Sequence, residues 1–239
     1  MIEKLKFYGG AAELMEWVET VWELSLKSFE ESKKYLSIRA ISIKKVEEND
    51  VYDVIGDIAI VSYILLSNAE GEIVTLKVNK NILEYWNATK DEVMSVSYEN
   101  SRNIYEPIFV SLSKVEDIFE RNEKKSFMDD DYKLDDSIDL FTGVIVTTKE
   151  GVNGATAMFV PGVKERIYEL LKEDYIISFT SIHEGIIHTE SSLIENDLSL
   201  EDIKEILNDC VEQATLEKDI LTRKVYAYHH ETNEIVEVI

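Results

Sequence analysis

The stretch Val54-Ile55-Gly56-Asp57-Ile58-Ala59-Ile60-Val61-Ser62-Tyr63-Ile64-Leu65-Leu66 decides the fold. It is β-branched and almost continuously apolar, the composition of a central strand covered on both faces. Asn68-Ala69-Glu70-Gly71-Glu72 behind it is turn chemistry, and Ile73-Val74-Thr75-Leu76-Lys77-Val78 returns as the hairpin partner. Upstream, Ile38 to Ile43 reads as a strand and Lys44 to Asp50 as a charged turn. Before them, Gly10 to Tyr35 has the period of one long amphipathic helix, with a wide apolar side that includes Trp17 and Trp22. Those two tryptophans read first as core, and as a partner surface second.

Downstream, Lys80 to Trp86 and Thr89 to Asn103 are predicted helices, the second opened by a capping box of Thr89 and Glu92. Pro107 is expected to end that unit, and Ser113 to Asn122 to form a short helix. Glu123 to Asp139 is charged and poor in apolar residues, a candidate linker or exposed loop. Beyond it, Gly143 to Thr148 and Ala155 to Val160 flank Asn153-Gly154 as a second predicted hairpin. Pro161 is expected in the first turn of a helix reaching Glu173. Strands at Tyr175 to Phe179 and Gly185 to Thr189 follow. Ser199 with Asp202 opens a helix whose apolar stripe is read as Leu200, Ile203, Ile206, Leu207, Cys210 and Ala214. Lys224 to Tyr228 and Glu234 to Ile239 close the chain as a hairpin. Each half holds a hairpin followed by a helix, which fits an old duplication, although two such units also arise by chance.

The 239 residues carry 25 Lys+Arg against 48 Asp+Glu, a net charge of −23, and 45% are apolar. That apolar fraction fills a core, and 9 glycines with 2 prolines are too few for a disordered chain. An excess of anions argues against direct binding to nucleic acid or to an anionic membrane, both of which need clustered cations. No signal peptide or membrane-spanning run is read, and one cysteine, Cys210, makes no internal disulfide. A cytoplasmic protein is expected.

Several short runs have a familiar order. Val152-Asn153-Gly154-Ala155, Pro161-Gly162-Val163 and Ser181-Ile182-His183-Glu184 resemble the C-terminal signature of an uncharacterised domain-of-unknown-function family. Its members occur in Gram-positive gut bacteria and their mobile elements. Gly56 to Val61, Trp86 and Glu99-Asn100 are similar to its earlier landmarks, so the likeness spans about Val51 to Ile239. Phe179 stands where that pattern has proline, and the first forty residues differ from its usual leader. The resemblance implies a shared α/β fold and no established activity.

Candidate chemistry is sparse. Ser181 and His183 lie two apart, on one face of a strand, and with Glu184 or Asp57 as orienter they suggest a hydrolase. No nucleophile elbow or oxyanion loop accompanies them, and serine beside histidine at a strand end is usually a turn hydrogen bond. His183 and His188 are five apart, not the four that place two metal ligands on one helical face. Asp129-Asp130-Asp131 fails the calcium-loop register, because Leu134 replaces the required glycine and Leu140 the final carboxylate. Cys210 reads as an inert buried thiol. No nucleotide fingerprint is present, and no metal or cofactor is expected.

Charge gives the clearest signal. Glu190 to Asp219 holds ten acidic residues and two lysines, a net −8. The helix after Ser199 turns Glu201, Glu205, Asp209 and Glu212 away from its apolar stripe. Such a row can keep a soluble protein apart from its neighbours, or imitate DNA phosphates as anti-restriction proteins do.

The expected fold is therefore α+β, with mixed, mainly antiparallel sheet and packed helices. It comprises an N-terminal lobe over 1–122, an acidic linker over 123–140 and a C-terminal lobe over 141–239. The expected function is a non-enzymatic binding or regulatory protein with a protein partner. The alternatives are an acidic DNA mimic that inhibits a nucleic-acid-binding protein and, third, a hydrolase around Ser181 and His183.

Overall fold

The structure is a computed structural model that describes residues 5–7, 26–68, 73–113, 123–134 and 138–239. It is α+β, with two mainly antiparallel sheets. The chain divides into two compact units: Met1–Arg39, Val46–Asp53 and Ile60–Ile104 form one, and Ala40–Lys45, Val54–Ala59 and Tyr105–Ile239 the other. No helix among the described residues is long and apolar enough to cross a membrane.

The first sheet is built on strands β1 (Leu5–Phe7), β2 (Leu36–Ser42), β3 (Tyr52–Ile55), β4 (Ile58–Asn68) and β5 (Ile73–Lys77). β4 is the hub: β1 joins it in parallel, β5 antiparallel, and β2 and β3 also pair with it. The expected single strand over Val54 to Leu66 is thus a hairpin. Gly56, at φ 59°, takes the left-handed conformation that reverses the chain at Gly56-Asp57. The central position of the longer arm was correctly read, since Ile60, Val61 and Ile64 have no exposed surface.

Short helix α1 (Phe29–Ser32) starts at Ser28, whose extended backbone and side-chain cap show a helix beginning there. One continuous helix through to Tyr35 is therefore corrected, and most of that span, with Trp17 and Trp22, lies outside the described residues. Helices α2 (Lys80–Trp86) and α3 (Lys90–Ser101) match expectation, and both halves of the Thr89–Glu92 capping box are formed. α3 packs through serines. Ser97 and Ser101 donate back to the carbonyls four residues earlier, while Ser97 Oγ meets Ser62 Oγ at 2.7 Å and Ser101 Oγ accepts the Ile38 N–H. Burying these hydroxyls is tolerable because each is paired.

The second unit holds β6 (Pro107–Ser111), β7 (Val144–Thr148), α4 (Val163–Leu171), β8 (Tyr175–Ser181), β9 (Glu184–Thr189), α5 (Glu190–Glu195), α6 (Leu200–Ala214), β10 (Val225–His229) and β11 (Glu234–Glu237). Its sheet runs β11-β10-β8-β9-β7-β6. Three expectations change here. Pro107 opens β6 instead of ending a unit, which proline permits on an edge strand where it supplies no ladder N–H. Residues Gly154–Phe159 form a buried 3₁₀ turn, not the return strand of an Asn-Gly hairpin. The helix predicted from Pro161 begins two residues later, at Val163, after Gly162. The Ser113 to Asn122 helix lies almost wholly outside the described residues. Within 123–134, Phe127 is fully buried and stacks on Phe109 with ring centres 4.4 Å apart.

Register arranges this sheet into rows. Val225, Ser178, Ile186, Ile145 and Val110 are successive cross-strand partners, so they share one face of five strands. α6 covers the β10–β8 part of that face through Ile203, Leu207 and Val211, which cluster with Val225. Ile108, Val110, Ile145 and Ile186 form a separate cluster on the remainder. Tyr226, Ile177, Ile187 and Val144 line the opposite face. Tyr226 there is fully buried, and its hydroxyl donates to Asp57 Oδ1 at 2.6 Å.

Candidate functional site

The face shared by two apolar clusters leaves a cleft beside α6. It has a volume of about 510 Å³ and is walled by Ile145 and Ile186 from the sheet, Leu112 beyond β6, and Leu216 past the end of α6. Ser181, His183, Glu184, Cys210 and Asp219 also line it. Sequence reading singled out Ser181, His183 and Glu184, and the fold brings all three to one cleft.

Their hydrogen bonds define what the group can do. Ser181 is buried, and its Oγ accepts the backbone N–H of His183 at 2.9 Å, so the serine closes the β8–β9 turn. The His183 ring faces elsewhere: Nδ1 accepts the Asn153 N–H at 3.2 Å. With Nδ1 an acceptor, the neutral ring carries its proton on Nε2, which lies 3.9 Å from Asp219 Oδ1. Glu184 Oε1 accepts the Thr180 hydroxyl at 3.1 Å. Serine and imidazole are neighbours in the cleft, but the hydroxyl's hydrogen-bond partner is backbone and not the ring.

The same contacts bring two separated sequence runs together. The Ala155 N–H donates to Ile182 O at 3.2 Å, Thr147 Oγ1 donates to His183 O at 2.8 Å, and the Asn153 N–H meets the His183 ring. The Val152-to-Ala155 and Ser181-to-Glu184 runs are therefore the two sides of one interlocked corner. Ile182 N–H donates in turn to Asp219 O at 2.8 Å, which sets Asp219 at the cleft. Sequence reading missed Asp219, because nothing in its local spacing links it to a histidine 36 residues earlier.

Cys210 corrects another expectation. The apolar stripe of α6 is centred on Ile203, Leu207 and Val211; Ile206 and Ala214 are exposed, and Cys210 is half-buried on the cleft wall. His188 lies on β9 beyond Ile186, and burial alone pulls its pKa down to about 4. No group of three or more metal-ligating side chains occurs among the described residues.

Glu201, Glu205, Asp209 and Glu212 are all exposed along α6. Among the described residues, only the last meets a cation at close range, with Arg223 Nη1 3.5 Å from Glu212 Oε1. The second candidate partner surface, Trp17 and Trp22, lies outside the described residues. A model of a family of unknown function, DUF5688, matches residues 10–230. No curated protein and no solved structure matches the chain.

Proposed function

The chain belongs to DUF5688, a family of unknown function, and from its geometry we propose a cytoplasmic binding or regulatory protein that works by contact with a basic protein partner. The acidic ridge of α6 carries this proposal. Glu201, Glu205 and Asp209 follow one another at four-residue steps, a rise of about 6 Å each, and all point to solvent with Glu212. A helix so charged attracts a cationic surface over about a Debye length, near 8 Å at physiological salt. Ile206, 48% exposed on the same helix, adds apolar contact beside the charge.

The test immobilises the full chain and identifies a protein it retains at low salt. Retention should fail for a variant carrying Glu201→Gln, Glu205→Gln, Asp209→Asn and Glu212→Gln, and should survive Ser181→Ala. A partner held equally by the four-fold variant would overturn the proposal.

The one-turn spacing of the carboxylates also supports the narrower DNA-mimic proposal, in which the partner is itself a nucleic-acid-binding protein. Duplex DNA would then compete for the retained protein, and competition would weaken with added salt. A hydrolase is less well supported, since Ser181 would have to release the His183 N–H and the ring would have to leave Asn153.

A further inference from the structure

We propose that the cleft beside α6 is a binding site for a small amphipathic cation, an amine with an apolar body of roughly eight carbons. The volume of about 510 Å³ falls within the range of roughly 300–1,000 Å³ typical of small-ligand clefts. Its walls are ordered head to tail. Glu184 and Ile186 alternate onto one face of β9, and Ile186 is directly opposite Ile145 on β7. A carboxylate therefore opens the cleft and branched aliphatic side chains continue it.

Charge selects the head group. Glu184 and Asp219 both line the cleft, and among the described residues no lysine or arginine does. Glu184 uses one oxygen for the Thr180 hydroxyl, and its Oε2 accepts no hydrogen bond from the described residues. Neither carboxylate oxygen of Asp219 accepts one, as His183 Nε2 stops at 3.9 Å. Both residues are partly exposed and line the cleft, so both carboxylates keep acceptor capacity there. An ammonium satisfies two acceptors that face partly apolar surroundings, while an anion would be repelled by them and by the chain's net −23. The apolar body gains by leaving water against Ile145, Ile186 and Leu216.

The only cysteine of the chain is a built-in reporter, because Cys210 lies half-buried on the wall of this cleft. The full chain is titrated with n-octylammonium, octanoate and octanol, following heat and the rate at which Cys210 reacts with a thiol reagent. Octylammonium should bind saturably and slow labelling about fivefold or more, while octanoate and octanol do neither. Combining Glu184→Gln with Asp219→Asn should weaken octylammonium about tenfold without changing the melting temperature. Ala214→Trp, placed on an exposed position at the cleft rim, should block binding while leaving both carboxylates in place. The four-fold variant of the α6 ridge should bind octylammonium normally, so this site stands or falls separately from the contact proposal. Equal binding of octanoate, unchanged affinity in the carboxylate variant, or binding that leaves Cys210 reactivity unaltered would each overturn the proposal. So would an absence of saturable octylammonium binding.

Discussion

Gly154 has no room for a side chain: a Cβ built on it would lie 2.2 Å from the His183 carbonyl oxygen and 2.8 Å from the Thr147 Cα. Both obstacles are backbone atoms of the interlocked corner, so neither can swing aside. Gly154→Ala should destabilise the protein by about 2–3 kcal/mol, read as a shift in the chemical-denaturation midpoint. His188 offers a pH-dependent counterpart. Burial holds its folded-state pKa at about 4, below the usual 6.5. Between those values the unfolded chain binds the proton and the folded chain does not, so stability falls as pH drops through this window. His188→Gln should remove about 1–2 kcal/mol of the loss between about pH 7.5 and about pH 5. The check is the difference between the two proteins' denaturation curves at each pH, which cancels the carboxylates common to both. The histidine itself was visible in the sequence, but its burial was not.

At the scale of elements, local capping signals were the most legible feature. Ser199 Oγ accepts the Asp202 N–H, and the Asp202 carboxylate accepts the Ser199 N–H at 2.8 Å, as the spacing of those residues predicted. The Ser199 hydroxyl also donates to Asp202 Oδ2 at 2.6 Å, and with the Ser199 N–H it holds the Asp202 carboxyl below its ordinary pKa. Ser199→Ala should cost about 1 kcal/mol, seen as a lower melting temperature. Leu207→Ala, at a position 2% exposed between α6 and the sheet, should cost about 2–5 kcal/mol. Comparing the two by calorimetry separates the cap from the packed stripe. Where elements were misread, a turn signal was outweighed by composition or the reverse. Gly56-Asp57 reverses the chain inside an apolar run that looked continuous. Asn153-Gly154 promised a hairpin, yet Asn153 at φ 52° leads into a 3₁₀ turn, because the edge that Ala155 to Val160 would have joined is held by β9.

For the whole molecule, a net −23 over 239 residues makes self-repulsion a general term in stability. Raising salt from about 0.02 M to about 0.2 M shortens the screening length from roughly 20 Å to roughly 7 Å. The melting temperature should therefore rise over that range, and a flat or falling trend in differential scanning calorimetry would contradict it. The sequence alone determined the α+β class, the β4–β5 and β10–β11 hairpins, the Thr89 and Ser199 helix caps and the acidic row on α6. Each depends on residues a few positions apart, where backbone geometry ties pattern to shape. Only the tertiary structure decided that Ser181 bonds to backbone, that Cys210 faces a cleft, and that Asp219 joins His183 and Glu184 there. Those placements are set by strand order and by how far α6 reaches across the sheet, and such long-range packing leaves no trace in local spacing.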